Sequence, residues 1–345
     1  MKIILDVATP KHAIFAAYLE PIYRRKGFDV EILARESTQT LKMLRYFKLD
    51  YKVIGYYGGM DLTEKYIATL DNEINLLKHI LEFGEPDILW SHGNVAGIRT
   101  AFHMGIPVIH VNDTPYNIPV AKLTVPLSTK LVTPAAWSIS DWSRFGIDPG
   151  DIIRYYGIEE VAWIRRMDVD REKIRSRYLD RDERIIVFRM IEYKASYSLN
   201  VKPPIYKVLE KLSRYAKIIY IPRYEEELKL ASKIPNTIIL RDVVFAPELI
   251  AASDINLNSG GTMAREGALL GVPTISYYFY NKITRFLIKH RLPIWYIPDI
   301  DKIIRKTIKI LRDPDKYRID SKEILNKFDD PLEVIIDTTL DILKQ

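Results

Sequence analysis

Four small residues, Ser259-Gly260-Gly261-Thr262, stand where an apolar run with strand character around Ile255 and Leu257 gives way to a helical pattern from Met263 to Leu270. A helix entered through Gly-Gly presents free backbone N–H groups and a partial positive charge, a combination that suits a phosphate. Glu266, one turn into that helix, is placed to reach a sugar hydroxyl. Arg189 and Arg223 each follow a strand-like run, with Glu192 just beyond the first. A guanidinium fork at such a position can make paired bonds to a diphosphate. Glycine turns also arise for steric reasons alone, and either arginine could serve a surface salt bridge. The reading therefore rests on their convergence.

The first half of the chain offers groups for proton transfer. His12 follows the first strand-like run and is expected in the first turn of a helix, where a neutral imidazole acts as a base. Thr9 and Pro10, just before it, are accounted for as helix cap and first-turn residue. Asp113 follows the run Ile106 to His110, where it can orient His12 or act as general base itself. Asn112-Asp113-Thr114-Pro115 is also a strong turn signal. Ser91-His92-Gly93-Asn94 makes another small polar turn, and His92 and Asn94 join the candidate site. The six histidines show no HxH or HExxH spacing and cysteine is absent, so no dedicated metal centre and no disulfide chemistry are expected.

Residues just after strands need sheets to hold them, and the chain alternates strand-like runs with helical patterns from its first residue. Strands are predicted at Lys2 to Val7, Asp29 to Leu33, Tyr51 to Ile54, Asp87 to Trp90, Ile106 to His110, Lys130 to Thr133 and Ile152 to Arg154. Helices are predicted between them, the longest from Leu62 to Phe83. Between Tyr156 and Arg184 the apolar signal stops and charges crowd in, which reads as a solvated linker and a polar helix. The alternation then restarts at Ile185. The expected fold class is α/β, with two Rossmann-like doubly wound parallel-sheet domains, residues 1–163 and 164–345, facing a central cleft. C-terminal helices are predicted over Ile300 to Leu311, Pro314 to Lys327 and Pro331 to Leu343, the last of which, about 331–344, is free to pack back on the first domain.

Composition sets the limits. The chain has 345 residues, 48% hydrophobic and 28% charged, an ordinary globular balance with ample core for two domains. Its net charge of +6 comes from Lys and Arg dispersed among acids, with no nucleic-acid-binding motif, so nucleic acid is not an expected partner. The first residues, MKIILDVATP, read as a strand and not a signal peptide, and no run approaches a membrane span. The expected location is the cytoplasm. Two basic-apolar segments, Lys42 to Lys48 and Phe286 to Arg291, leave peripheral contact with the inner face of a membrane open. Scarce glutamine and absent cysteine point to a thermophile.

The segment VVFAPELIAASDINLNSGGTMAREGALLGVPTIS resembles the nucleotide-sugar region of GT-B proteins, especially the lipid-linked GlcNAc-transferase of peptidoglycan synthesis. The matching positions are Val244, Phe245, Ala252-Ser253-Asp254, Ser259-Gly260-Gly261, Thr262 and Glu266. UDP-GlcNAc 2-epimerases have a similar Ser-Gly-Gly turn, but their double acid is replaced here by Arg265-Glu266. Over its whole length the chain is similar to the GT-B-like family of domain of unknown function 354. It shares Thr9-Pro10-Lys11-His12, Ala34-Arg35, Gln39-Thr40, Tyr51-Lys52-Val53-Ile54-Gly55, Gly58-Gly59, Ser91-His92-Gly93, Asp113, Thr133-Pro134, Gly260 to Glu266 and Leu270-Gly271-Val272-Pro273.

The resemblance implies a metal-independent glycosyltransferase that uses a nucleotide-diphosphate sugar, a UDP-sugar, and needs no further cofactor. Ser259, Gly260, Gly261, Thr262, Glu266, Arg189, Arg223 and Phe245 would hold the donor, with Phe245 passing the base. His12 or Asp113 would act on a glycan, lipid-linked or small-molecule acceptor. The chain departs from the transferase pattern where Gly-Gly-His becomes Pro10-Lys11-His12, on the acceptor side. Two alternatives stay open: an epimerase or hydrolase of the 2-epimerase kind, and a non-catalytic nucleotide-sugar-binding subunit. A homo-oligomer is also open.

Overall fold

The computed structural model describes residues 1–59, 61–178, 183–191 and 205–344; Glu192 lies outside them. The chain divides into two compact units, one of residues 1–163 with 328–345, the other of residues 164–327.

The first unit is a seven-stranded sheet made of β1 (Lys2–Val7), β2 (Asp29–Glu36), β3 (Lys52–Tyr56), β4 (Ile88–Ser91), β5 (Val108–Val111), β6 (Lys130–Pro134) and β7 (Ile152–Tyr155). Their order is β3-β2-β1-β4-β5-β6-β7, and every pairing is parallel. Strands covered on both faces can be apolar throughout instead of alternating, which is why β1 and β4 read as nearly continuous apolar runs. The helix Pro10–Arg25 begins with Thr9, whose hydroxyl accepts the His12 N–H, and Pro10 takes its first position. The last helix, Pro331–Ile342, lies against β5, β6 and β7, and Tyr23 Oη meets Thr339 Oγ1 at 2.5 Å in the core.

In the second unit, β8 (Ile185–Arg189), β9 (Lys217–Tyr220), β10 (Thr237–Ile239), β11 (Ile255–Asn258), β12 (Thr274–Ser276) and β13 (Ile294–Tyr296) form a parallel sheet in the order β10-β9-β8-β11-β12-β13. Its two faces bury separate apolar clusters, one around Phe188, Leu209 and Leu257, the other around Val187, Ile219 and Ile250. Asp254 is fully buried before β11, where it accepts from Arg171 and Arg175 at 3.2 and 3.1 Å and from the Ile185 N–H at 2.8 Å. That ion cluster ties the polar helix Arg171–Arg175 to the start of the sheet.

Three local expectations are corrected. Of the helix predicted from Pro314 to Lys327, only Lys322–Leu325 is helical. The strand β13 was not expected, because three residues carry no period of their own. The segment following Tyr156 is not solvated: Ile158 to Trp163 are fully buried, acids included, with the ammonium of Lys11, distant in sequence, set against Glu159 and Glu160.

Candidate functional site

In both sheets the strand order reverses beside the first strand of the unit, between β1 and β4 and between β8 and β11. Ligands of open α/β sheets bind beyond the carboxyl ends at such a point, where neighbouring crossovers leave in opposite directions and open a crevice.

In the second unit the Ser259-Gly260-Gly261 turn occupies that point. Asn258 is the register partner of Arg189, so the arginine at the end of β8 lies directly beside the residue that opens the turn. Arg223, beyond β9, bonds through Nε to the Met190 carbonyl at 3.2 Å, which brings it to the same strand end. Both arginines act electrostatically on Glu227, a buried carboxyl that accepts from Tyr220 Oη at 3.1 Å and from the Arg223 N–H at 3.2 Å. Burial outweighs these contacts and holds Glu227 above the usual carboxylate range.

Buried asparagines fix the turn itself. Asn258 Oδ1 accepts the Gly260 N–H at 2.9 Å, Asn258 Nδ2 donates to Asn256 Oδ1 at 2.9 Å, and Asn256 Nδ2 donates to the Met263 carbonyl at 2.7 Å. Gly267 makes this ladder possible, since a Cβ there would come within 2.3 Å of Asn256 Nδ2. Gly260 (φ +99°) is pressed against Phe279 and Ser276, whereas Gly261 (φ +81°, ψ −156°) adopts a glycine-only conformation with nothing within 4 Å of where a Cβ would stand. The N-cap residue of the helix Thr262–Leu269 is Gly261, which has no side chain to cap it. The turn thus presents helix N-terminal N–H groups beneath open space, the arrangement that receives an anion. Ser259 and Glu266 are buried beside it, and the Phe245 side chain is buried at the start of the helix Ala246–Ala252. A concavity of about 690 Å³ in this unit is lined by Tyr280, Arg291, Trp295 and Tyr317, and none of the turn residues lines it.

In the first unit the ends of β1, β4, β5 and β7 bring six ionisable side chains together. The Lys11 ammonium pairs with Glu159, stands 3.2 Å from Asp113 and 4.0 Å from Glu160. Glu159 and Glu160 are fully buried and Asp113 nearly so. His92 Nε2 meets the Glu159 carboxylate at 2.9 Å, and the His12 ring lies 4.8 Å from that of His92. His92, Asp113 and Glu159 hold potential metal-ligand atoms within 4.8 Å of one another, but the Lys11 ammonium already stands among them as the counter-ion.

Hydrogen bonds assign the imidazole roles. His12 Nδ1 accepts the Ala8 backbone N–H at 3.2 Å, so the neutral ring carries its proton on Nε2. Burial, with His92 next, holds its pKa well below the usual value. The His12 ring is therefore neutral and holds Nε2–H as a hydrogen-bond donor. His92 is arranged the other way: Nε2 faces the Glu159 carboxylate as its donor, so Nδ1 is the acceptor nitrogen of the neutral ring. His110, held down to about 3 by burial, bonds to Ser128 Oγ and Asn112 Nδ2 inside the sheet edge. Asn94 Nδ2 and Ser91 Oγ both donate to Asp6, at 2.7 and 2.8 Å, yet desolvation still raises Asp6 to about 6. Asn94 thus supports a buried carboxyl.

The sequence reading missed Lys11, Glu159, Glu160 and Glu227 as site residues. The rule that singled out His12 and Asp113 would have found the pair of acids, since Gly157-Ile158-Glu159-Glu160 follows a strand and is bounded by apolar residues.

Two doubly wound parallel sheets, each with its switch point at the carboxyl edge, define a GT-B-type fold. The chain belongs to the family described as "Protein of unknown function (DUF354)", which matches residues 1–344. It is 28% identical over 281 residues to the uncharacterized protein MJ0665 of Methanocaldococcus jannaschii, covering 79% of this chain and 81% of that one. Among solved structures it is similar to a putative UDP-N-acetylglucosamine 2-epimerase from Listeria monocytogenes (TM-score 0.74, 14% identity, 99% of this chain and 95% of that chain). It is also similar to the M. jannaschii UDP-GlcNAc 2-epimerase in complex with UDP-GlcNAc and UDP (0.73, 16%, 99% and 100%) and to Anabaena Alr3699/HepE in complex with UDP and glucose (0.66, 12%, 100% of both). Among the described residues no helix is long and apolar enough to cross a membrane.

Proposed function

We propose that this chain is a glycosyltransferase acting on a nucleotide-diphosphate sugar, with a UDP-sugar as donor and no metal required. The observation that carries the reading is the helix N-terminus entered through Gly261, set at a switch point beside Arg189. N–H groups and guanidinium stabilise a leaving diphosphate by fixed dipole and charge, the work a divalent cation does elsewhere. Glu266 serves the ribose. In the first unit His92 takes the proton of the acceptor hydroxyl at Nδ1, and Glu159 positions the ring and stabilises the imidazolium that results. Asp113 and Lys11 set the charge around that pair. The test is a screen of nucleotides and nucleotide sugars by thermal shift, followed by UDP release with and without candidate acceptors. No stabilisation by any uridine diphosphate compound would refute the donor reading.

A second reading, epimerisation or hydrolysis of the same nucleotide sugar, is favoured by one feature. Three buried carboxylates around a single lysine give the first unit more acid–base capacity than one deprotonation needs. The named epimerases among the structural neighbours support it. UDP release or sugar isomerisation without an acceptor would select this reading over transfer.

A further inference from the structure

The helix Leu62–Phe83 carries two apolar stripes, and the fold of the chain uses one. Ala68, Leu76, His79 and Ile80 are buried, Leu76 and Ile80 against Ile4, Leu33 and Leu89. Tyr66, Ile67, Leu70, Ile74, Leu77 and Leu81 face outward and are exposed, Tyr66 by 60% and Leu81 by 72%. At 3.6 residues per turn those six fall within a sector of about 100°. The patch continues onto the neighbouring helix Val95–His103: Arg99 pairs with Glu73 at 3.0 Å, and Phe102, one turn beyond Arg99, is half exposed.

We propose that this face is the dimerisation surface of the protein and that its occupant is the same helix of a second copy, packed antiparallel about a two-fold axis near Ile74. The stripe is close to self-complementary when its direction is reversed. Tyr66 then meets Leu81, Leu70 meets Leu77, and Ile74 meets its own copy, as an isologous contact requires. On the flank, Lys78 of each copy lies opposite Asp71 of the other, giving two charge pairs across the axis. Covering the stripe and Phe102 removes roughly 700 Å² of side chain per copy from water, close to the roughly 800 Å² per partner of a stable interface. A lipid surface fits the flank poorly, because Glu64, Asp71 and Glu82 outnumber Lys78 there, whereas interfacial helices carry basic flanks.

Light scattering during gel filtration tests the proposal. The wild-type chain is expected at about twice its 40.2 kDa, and Leu70→Glu/Leu77→Glu at the monomer mass with unchanged circular dichroism, its dimer dissociation constant raised at least 100-fold. Because the chain has no cysteine, Ile74→Cys should form a cross-linked dimer on mild oxidation. Thr63→Cys should not, since the two copies of that position would stand about 33 Å apart. A monomer at tens of micromolar, a dimer that survives the double substitution, or equal cross-linking at the two positions would overturn the proposal. Binding of the wild type but not the double variant to anionic vesicles would also do so, and would assign the face to lipid.

Discussion

Gly261→Ala separates the anion-binding role of the turn from its structural role. Gly261 sits at φ +81°, ψ −156°, a region closed to side-chain-bearing residues, so alanine there costs about 1–3 kcal/mol of backbone strain. No atom lies within 4 Å of the new Cβ, so no steric clash adds to that cost. For a unit of this size the apo protein should lose roughly 2–12 °C of melting temperature. UDP at 100 times its dissociation constant should stabilise the wild type by about 2.7 kcal/mol. In the variant that gain should vanish, because the methyl group stands in the open space above the helix N-terminus. Gly260→Ala is the contrast: its Cβ would meet Phe279 Cβ at 2.7 Å and Ser276 Oγ at 2.8 Å, so its main cost is folding. The assay is thermal unfolding across a nucleotide titration, with calorimetry for affinity. Wild-type UDP affinity in Gly261→Ala would refute the assignment of the turn to the diphosphate.

Three further outcomes follow from the geometry. His92→Ala should lower turnover by about 100-fold or more while His12→Gln, which keeps a donor, retains most of it; equal losses in kcat would show that the two rings do not divide the roles described. Asp254→Asn should destabilise the protein by about 3–5 kcal/mol in urea, because Arg171 and Arg175 lose a fully buried counter-charge; a change below about 1 kcal/mol would mean the cluster is solvated. The pH dependence has opposing parts. His110 has a folded pKa near 3 against an ordinary 6.5, so its contribution is present above 6.5 and lost as pH falls toward 3, and His12 acts in the same direction. Asp6, near 6 against 3.8, contributes stability below 3.8 that is lost as pH rises through 6. His110→Asn should therefore flatten the loss of stability between pH 6.5 and 4, and Asp6→Asn should steepen it, read as urea midpoints at the two pH values.

Local sequence determined a great deal of this protein. The apolar runs of β1 and β4, the cap at Thr9 and the glycine turn at Gly260-Gly261 are properties of a few adjacent residues, so they announce strands, a helix start and a helix entrance without the rest of the chain. The long helix Leu62–Phe83 is legible for the same reason: twenty-two residues sustain one period. Tertiary structure decided which of these local features share a site. Lys11, His92, Asp113 and Glu159 come from four strand ends and are neighbours only because β1, β4, β5 and β7 lie in one sheet. Buried glutamates in a charged stretch look like a linker until Lys11, which stands against them, is in place. The protonation of His12 was likewise beyond pattern reading, since it depends on the direction of one backbone N–H, at Ala8. Residue type says which groups can move a proton; packing decides which lone pair is left to receive it.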